Sequence, residues 1–312
     1  MLDPQVRNLL EQTQARNLPA PHDIPLTDAR EAYRNGRVAL QPTAPDIGSS
    51  RDFTVAGPAG NLAVREYRPR GSHSDERLGA LVYFHGGGWI FGDIDTHDIL
   101  CRTLSNQSGC ALYSVDYRLA PESPFPGAVD DALTATRWIF ENADSLLIDN
   151  SRIGVGGDSA GGNLAAVVSL ALRDSLGPQP AFQLLIYPVT DMYCSLPSHK
   201  ENGNGYMLTS ASIEHYKSHY LKESENGNWR ASPLRADNHA DLPPALIVTA
   251  GFDPLRDEGL AYADKLSAAG TSAQYVCFSR MIHGFMAMSG VLDEGKTAIG
   301  LCAAVMRDRL VS

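Results

Sequence analysis

The chain has 312 residues, of which 43% are hydrophobic, and its formal net charge at pH 7 is −10. This charge argues against nucleic acid and anionic membranes as partners, and no apolar segment reaches the length of a membrane span. The start, Met1 to Pro4, lacks the profile of a signal peptide, and the five cysteines are an odd number without a Cys-x-x-Cys pair. We therefore predict a cytoplasmic protein with reduced thiols, no cofactor and no metal.

The N-terminal part of the chain predicts a helix followed by two strands. Apolar residues recur at helical spacing between Asp3 and about Ala15, which indicates a short amphipathic helix. Loops are expected at 17–21 and around 41–45. Two strands then follow over 51–55 and 61–67, separated by a Gly-Pro turn.

The next apolar run, Ala80 to Phe84, predicts a buried strand that ends in the sequence HGGGW. Three consecutive glycines cost conformational entropy, so a fold keeps them where side chains would obstruct a close approach. Here they would let backbone amides approach a negatively charged oxygen. His85 is expected to fix this loop rather than to enter the chemistry.

A second glycine-rich turn, GDSAGG at 157–162, connects a short strand over 152–156 with an apolar helix over 163–172. It fits the G-x-S-x-G nucleophile elbow, in which glycines leave room for a strained Ser159. A dinucleotide-binding loop does not fit, because Ser159 stands where the third glycine is needed. A phosphate-binding P-loop fails as well, since no Gly-Lys-Ser/Thr follows.

Two later strands lead to the remaining members of a possible catalytic triad. The strand over 245–250 runs towards Asp253, and the strand over 273–278 leads to His283. The chain order Ser159, Asp253, His283 is that of α/β-hydrolases and differs from the chymotrypsin type. Both partners follow strand ends, where a parallel sheet gathers its ligands and reacting groups.

Other polar residues near these motifs have simpler interpretations. Asp257 and Glu258 are alternative acids, but a capping or surface role is favoured because they fall in the first turn of a predicted helix. His215 and His219 are four residues apart on a predicted helix, as metal ligands can be. No third ligand is apparent in the sequence, so they are interpreted as ordinary helix residues.

Taken together, the motifs resemble the hormone-sensitive-lipase family of bacterial carboxylesterases. The resemblance implies an α/β-hydrolase fold, with a mostly parallel central sheet flanked by helices and a helical cap. The motifs keep their order along the chain: HGGGW at 85–89, DYRLAPE at 116–122, PFP at 124–126, GDSAGG at 157–162, LPPA at 242–245, DPLRDEG at 253–259 and HGF at 283–285.

The resemblance also implies a division of the chain. Residues 1–45 would form one cap segment, and residues 46–312 the catalytic domain, with 190–227 inserted in it as a second cap segment. A helix is predicted near 210–221. Candidates to line a substrate pocket, each of which also fits a core position, are Trp89, Tyr187, Met207, Leu208 and Phe285.

The chemistry that these residues predict is acyl transfer. His283 accepts the proton of Ser159 during attack, and Asp253 holds the imidazole in the productive tautomer. The developing oxyanion would be bound by the amide of Ala160 and by glycines of the HGGG loop.

The resemblance assigns the glycine donors to Gly86 and Gly87. It also implies small-molecule ester substrates with short- to medium-chain acyl groups.

Two alternative functions stay open at this point. The same mechanism can act on an arylamide, a lactone or an N-acetyl group, because the leaving-group pocket decides the substrate. A non-catalytic binder, which some plant hormone receptors resemble, would be expected to lack the histidine, whereas His283 is present. The strand over 273–278 is predicted to be the last of the sheet, and by analogy with the family its edge would form a homodimer.

Overall fold

A mixed sheet forms the centre of the structure, a computed structural model that describes residues 1–311. Over these residues the strands are β1 (Ser49–Gly57), β2 (Gly60–Arg68), β3 (Leu78–Phe84), β4 (Ala111–Val115), β5 (Ile148–Asp158), β6 (Gln183–Ile186), β7 (Ala245–Phe252) and β8 (Ala273–Ile282). Their spatial order is β1-β2-β4-β3-β5-β6-β7-β8. The strands from β3 to β8 pair in parallel, while β1 and β2 are antiparallel.

Helices cover both faces of this sheet. They are α1 (Pro4–Ala15), α2 (Leu26–Leu40), α3 (Asp98–Ser108), α4 (Gly127–Glu141), α5 (Ala160–Asp174), α6 (Pro197–Glu201), α7 (Ser210–Tyr220), α8 (Arg256–Ala268) and α9 (Asp293–Leu310). No helix in the described part of the chain is both long and apolar enough to cross a membrane.

The central strand β3 shows how the sequence produces these layers. All seven of its residues are buried, and successive side chains point to opposite faces of the sheet. Val82 and Phe84 belong to the hydrophobic cluster that includes α4, α5 and α8. Leu81 and Tyr83 belong to the cluster that includes α3 and α9. The run is therefore continuously apolar because both faces are covered.

The fold confirms the predicted α/β-hydrolase architecture and most of the predicted strands. β8 lies at the edge of the sheet, as expected, and extends further than predicted, up to Ile282. β5 is also longer than the predicted strand over 152–156. The sequence analysis did not identify α2, which fills most of the interval between the two predicted loops.

The parallel strands place their carboxyl ends at one edge of the sheet. The HGGGW loop follows β3, and Ser159 follows β5 directly. Asp253 follows β7, and His283 follows β8. Four segments that are distant in the sequence thus meet at this edge.

Candidate active site

Ser159 lies on a strained turn between β5 and α5. Its φ of 56° and ψ of −115° fall in a region that L-amino acids rarely adopt. The flanking glycines allow this turn to pack against the HGGGW loop. A Cβ on Gly161 would collide with the carbonyl oxygen of Phe84, and one on Gly157 would collide with the backbone of Gly161. The elbow therefore requires glycine at both positions.

A chain of short polar contacts connects three of the predicted residues. The Oγ atom of Ser159 lies 3.0 Å from Nε2 of His283, and Nδ1 of His283 lies 2.7 Å from Oδ2 of Asp253. Asp253 is fully buried, while the His283 side chain is 13% exposed. This arrangement allows a proton to pass from the serine hydroxyl to an imidazole whose opposite nitrogen faces a carboxylate.

The backbone fixes the orientation of Asp253. Its second carboxylate oxygen, Oδ1, accepts a hydrogen bond of 2.8 Å from the amide of Leu255. The side chain of Asn202 donates to the carbonyl oxygen of Asp253 at 3.2 Å. The alternative acids lie in other interactions: Asp257 accepts a hydrogen bond from the amide of Ser198, and Glu258 contacts a histidine of α6.

The HGGGW loop corrects one expectation about the oxyanion donors. The amide of Gly86 donates to Oδ1 of Asp158 at 2.9 Å, so it is not free to bind a substrate oxygen. Gly87 and Gly88 have positive φ values of 128° and 60° and line the cavity beside Ser159. Among residues 1–311, no group accepts a hydrogen bond from the amides of Gly87, Gly88 or Ala160. The free backbone amides of this loop are therefore those of Gly87 and Gly88, whereas Gly86 and Gly87 were expected.

Asp158 is the centre of a buried network of polar side chains. Besides the amide of Gly86, its Oδ1 accepts a hydrogen bond from Tyr83 at 2.8 Å and lies 3.3 Å from Nε2 of His97. Arg37 of α2 lies 3.9 Å from the other oxygen. Burial alone would raise the pKa of Asp158, but His97, Arg37 and the Tyr83 hydroxyl together hold it below its ordinary value. Asp158 therefore accepts these hydrogen bonds as a carboxylate.

His85 supports the loop, as the sequence analysis predicted. Its ring stacks on Tyr117 with centroids 4.2 Å apart, and the Tyr117 hydroxyl donates to the His85 carbonyl at 2.7 Å. Burial, reinforced by the proximity of His97, lowers the pKa of His85 to about 4. The ring is therefore neutral at physiological pH.

A cavity of about 340 Å³ opens beside Ser159 and His283. Four of the five predicted lining residues, Trp89, Tyr187, Met207 and Leu208, do line it. The prediction for Phe285 is wrong: its side chain is completely buried and packs against Tyr187 and Phe278 within the core. Phe285 begins a 3-10 turn two residues after His283, and it is not among the residues that line the cavity.

Much of the cavity wall comes from residues outside the predicted lining set, in the segments 1–45 and 190–227. Helix α2 contributes Ala29, Tyr33, Arg37 and Leu40, which recur at helical spacing. That spacing is the signal that would have identified this helix and its inner face. Other wall residues outside the motifs include Ile24, Cys194, Ile213, Tyr216, Lys217 and Met288.

Two groups of side chains are relevant to metal binding. The rings of His215 and His219 are 4.7 Å apart, and His22 lies 6.2 Å from His215, measured between ring centroids. The ligand atoms of these three histidines do not all lie within 4.8 Å of one another. A second group meets this distance: one ligand atom from each of Cys194, His199 and Glu258 lies within 4.8 Å of the others. This second group was not predicted from the sequence.

Comparison with known proteins agrees with the geometry of the site. The sequence pattern of a family described as having the alpha/beta hydrolase fold matches residues 81–287. Esterase LipI of Mycobacterium tuberculosis is 41% identical over 282 residues, which cover 89% of this chain and 88% of LipI. The carboxylic ester hydrolase LipN of the same organism is 46% identical over 242 residues, which cover 75% of this chain and 64% of LipN.

A solved structure extends the similarity to the whole chain. An ester-hydrolase from the metagenome of Lake Arreo, complexed with a derivative of bipyridine phosphonate, superimposes with a TM-score of 0.97. The two sequences are 41% identical, and the superposition covers 100% of each chain. The similarity therefore includes both N-terminal helices and the segment between β6 and β7.

Proposed function

The chain belongs to the hormone-sensitive-lipase family of bacterial carboxylesterases, and we propose that it hydrolyses its esters through Ser159, His283 and Asp253. The observation that carries this proposal is the continuous contact from the Ser159 hydroxyl through His283 to Asp253 beside the cavity. The alcohol is a weak nucleophile when neutral, so it requires a base within hydrogen-bonding distance.

In the first half of the reaction, Ser159 Oγ attacks the ester carbonyl while its proton passes to Nε2 of His283. Asp253 stabilises the resulting imidazolium and keeps the ring in the required tautomer. The imidazolium then protonates the departing alcohol, which leaves an acyl group on the serine. In the second half, water attacks the acyl carbon as it loses a proton to His283. The imidazolium then returns that proton to the Ser159 oxygen while the acyl–oxygen bond breaks and the acid is released.

The negative charge that develops on the carbonyl oxygen needs donors that are already in place. We assign this role to the amides of Gly87, Gly88 and Ala160. Their freedom from other acceptors supports the assignment, and so does the position of the two glycines on the cavity wall. Loss of one such donor typically costs about 3 kcal/mol of transition-state stabilisation.

Residues 1–45 and 190–227 act as a cap over this site. The support is that helix α2 and the segment around α7 supply a large share of the cavity wall. A volume of about 340 Å³ is near the lower end of the range for small-molecule sites, roughly 300–1,000 Å³. This size favours short- to medium-chain acyl groups. The homodimer and the cytoplasmic location stay predictions.

Initial rates with p-nitrophenyl esters from acetyl to palmitoyl test the proposal. We expect turnover of the short and medium esters, with a decline towards palmitoyl. Ser159→Ala removes the nucleophile, so its rate should fall by a factor on the order of 10⁵ or more. The control Ser145→Ala changes a serine whose hydroxyl donates only to the carbonyl of Asn142 and should leave the rates unchanged.

The same assay separates the alternatives. A folded protein that turns over none of these esters would overturn the esterase proposal, and arylamides and lactones would then be tested. Binding of small molecules without turnover of any acyl bond would support the non-catalytic alternative. Equal activity of Ser159→Ala and the parent protein would remove Ser159 from the mechanism.

A further inference from the structure

Three potential metal ligands meet on one side of the substrate cavity. Cys194 follows β6 in the segment 190–227, His199 lies in α6, and Glu258 lies in the first turn of α8. Nε2 of His199 is 2.6 Å from Oε1 of Glu258. One ligand atom of each residue, the Cys194 sulfur included, lies within 4.8 Å of the others.

The surroundings of this group hold two of its members firmly. Glu258 is fully buried and His199 is 8% exposed. The second carboxylate oxygen of Glu258 accepts hydrogen bonds from the amides of Thr190 and Asp191 at 2.6 and 2.8 Å. These bonds orient the carboxylate, as hydrogen bonds to metal-ligating side chains commonly do. The other carboxylate oxygen of Glu258, Oε1, contacts His199.

Cys194 connects the group to the substrate cavity. Its side chain is half-buried and lines the cavity wall, whereas His199 and Glu258 lie behind it. Its sulfur is 3.7 Å from the carbonyl oxygen of Met192 and 3.9 Å from that of Asp191, which are weak contacts. The thiol is therefore free to rotate towards the His199–Glu258 pair.

We propose that Cys194, His199 and Glu258 form a binding site for a divalent cation of the zinc class, with one coordination position facing the substrate cavity. The donor set selects this class of ion. A thiolate and an imidazole favour zinc over magnesium and calcium, which prefer oxygen ligands alone. Three protein ligands leave one position of a tetrahedral ion for water or another small ligand.

The distances allow such an ion after small movements. Nitrogen and oxygen ligands of tetrahedral zinc are about 3.3 Å apart, because each lies about 2.0–2.1 Å from the metal. The His199–Glu258 contact of 2.6 Å must therefore open by less than 1 Å. Sulfur and nitrogen or oxygen ligands of tetrahedral zinc are about 3.6 Å apart, so the sulfur must approach by at most about 1.2 Å from its present separation of up to 4.8 Å.

Binding also requires a change of protonation. Burial, together with the negative charge of Glu258, raises the pKa of Cys194 to about 12, so this residue is a thiol in the free protein. When the cation binds, the sulfur–hydrogen bond breaks, the sulfur keeps the electron pair and coordinates the metal, and the proton leaves to solvent. His199 coordinates through the lone pair of Nε2, and Glu258 coordinates as a carboxylate. No oxidation or reduction is involved.

Occupancy would affect the active site through the cavity wall. Cys194 shares that wall with Ser159 and Leu208, so the bound cation and its fourth ligand would narrow the space for the acyl or alcohol group. The cation would also join the segment 190–227 to α8. Zinc should therefore lower the rate with larger esters more than with acetyl esters. This effect depends on the proposed esterase function, whereas zinc binding does not.

The test measures zinc directly. The full-length protein is freed of metal, equilibrated with Zn²⁺ at defined free concentrations, and analysed for bound metal. We expect one high-affinity zinc per chain. Cys194→Ser and Cys194→Ala should each weaken binding at this site by about 100-fold or more, since even outer-shell changes weaken metal sites about 10–100-fold. Cys277→Ser is the matched control, because Cys277 is another half-buried thiol, on β8, and its variant should bind zinc as the parent does.

Cobalt provides a second readout that is independent of enzyme activity. Co²⁺ in the site should give a sulfur-to-metal charge-transfer absorption that Cys194→Ser abolishes and Cys277→Ser retains. Thermal unfolding would verify that each variant is folded. The proposal would be overturned if the parent protein bound no zinc, or if both Cys194 variants still bound it as the parent does. Loss of binding in His215→Gln alone would instead assign the metal to the histidines at 22, 215 and 219.

Discussion

The amide of Gly86 donates a hydrogen bond to Oδ1 of Asp158, and this bond joins the two glycine-rich loops of the active site. It connects the residue after His85 to the residue before Ser159. Because Gly86 is used in this way, the free amides of the loop are those of Gly87 and Gly88. Asp158 is thereby a positioning residue: it contacts the loop that holds the oxyanion, not the reacting atoms.

Asp158→Asn tests this role. The amide side chain can keep an oxygen towards Gly86, Tyr83 and His97, but it is neutral and therefore a weaker acceptor for all three. It also turns an NH₂ group towards Arg37 where the carboxylate has its second oxygen. We expect kcat to fall roughly 10–100-fold, equivalent to about 1.4–2.7 kcal/mol, with a smaller change in KM. Asp174→Asn, a half-exposed acid at the end of α5, should not change kcat. An unchanged kcat in Asp158→Asn would contradict the positioning role.

Asp253→Asn tests which acid supports His283. The neutral amide cannot stabilise the imidazolium and favours the wrong tautomer, so kcat should fall by a factor on the order of 10⁴. Asp257→Asn is the matched control, because Asp257 pairs with Arg256 and accepts from the amide of Ser198. Steady-state kinetics of both variants should show full activity only in the control. A larger loss of kcat in Asp257→Asn than in Asp253→Asn would assign the support of His283 to Asp257.

Gly161→Ala tests the packing of the elbow. A methyl group at this position would collide with the carbonyl oxygens of Phe84 and His85, which are backbone atoms that cannot move independently. Chemical denaturation should show a loss of about 3 kcal/mol or more in the free energy of unfolding.

The control for this substitution is Gly300→Ala in α9, where a methyl group approaches only the side chain of Gln107, at 3.9 Å. Alanine has the higher helix propensity, so this variant should be more stable by about 0.5–1 kcal/mol. The packing argument fails if the two variants are equally stable.

Leu208→Trp tests whether the cavity limits the acyl chain. Leu208 lines the cavity, so a larger side chain reduces its volume of about 340 Å³. We expect kcat/KM for octanoyl esters to fall at least about 10-fold, while the value for acetyl esters changes less than about threefold. Leu260→Trp places the same side chain on a 41% exposed position of α8 and should preserve the chain-length profile. An unchanged profile in Leu208→Trp would show that the acyl chain lies elsewhere.

The sequence predicted the parts of this structure that depend on local pattern. Ser159, Asp253 and His283 each follow a strand with a clear apolar run, and the parallel sheet brings these strand ends together. The GDSAGG motif also predicted the elbow, although the contact that requires Gly161 is made with Phe84, which is distant in the sequence. The assignment of Gly86 was wrong because its amide is used by Asp158, which is 72 residues away in the chain.

Features that depend on distant contacts were not visible in the sequence. Phe285 lies close to His283 in sequence, yet the 3-10 turn directs it into the core. Glu258 stands 59 residues after His199, and only the packing of α6 against α8 places their side chains 2.6 Å apart. Local patterns therefore predicted the three residues of the proposed triad, while tertiary packing determines the cavity and the group formed by Cys194, His199 and Glu258.

Covalent labelling tests the identity of the nucleophile most directly. The protein is treated with a p-nitrophenyl alkylphosphonate, the released p-nitrophenolate is counted per chain, and the modified peptide is identified by mass spectrometry. The account predicts one equivalent released, a phosphonate on Ser159, and neither event in Ser159→Ala. A phosphonate on another residue, or ester turnover that continues at the full rate without labelling of Ser159, would contradict it.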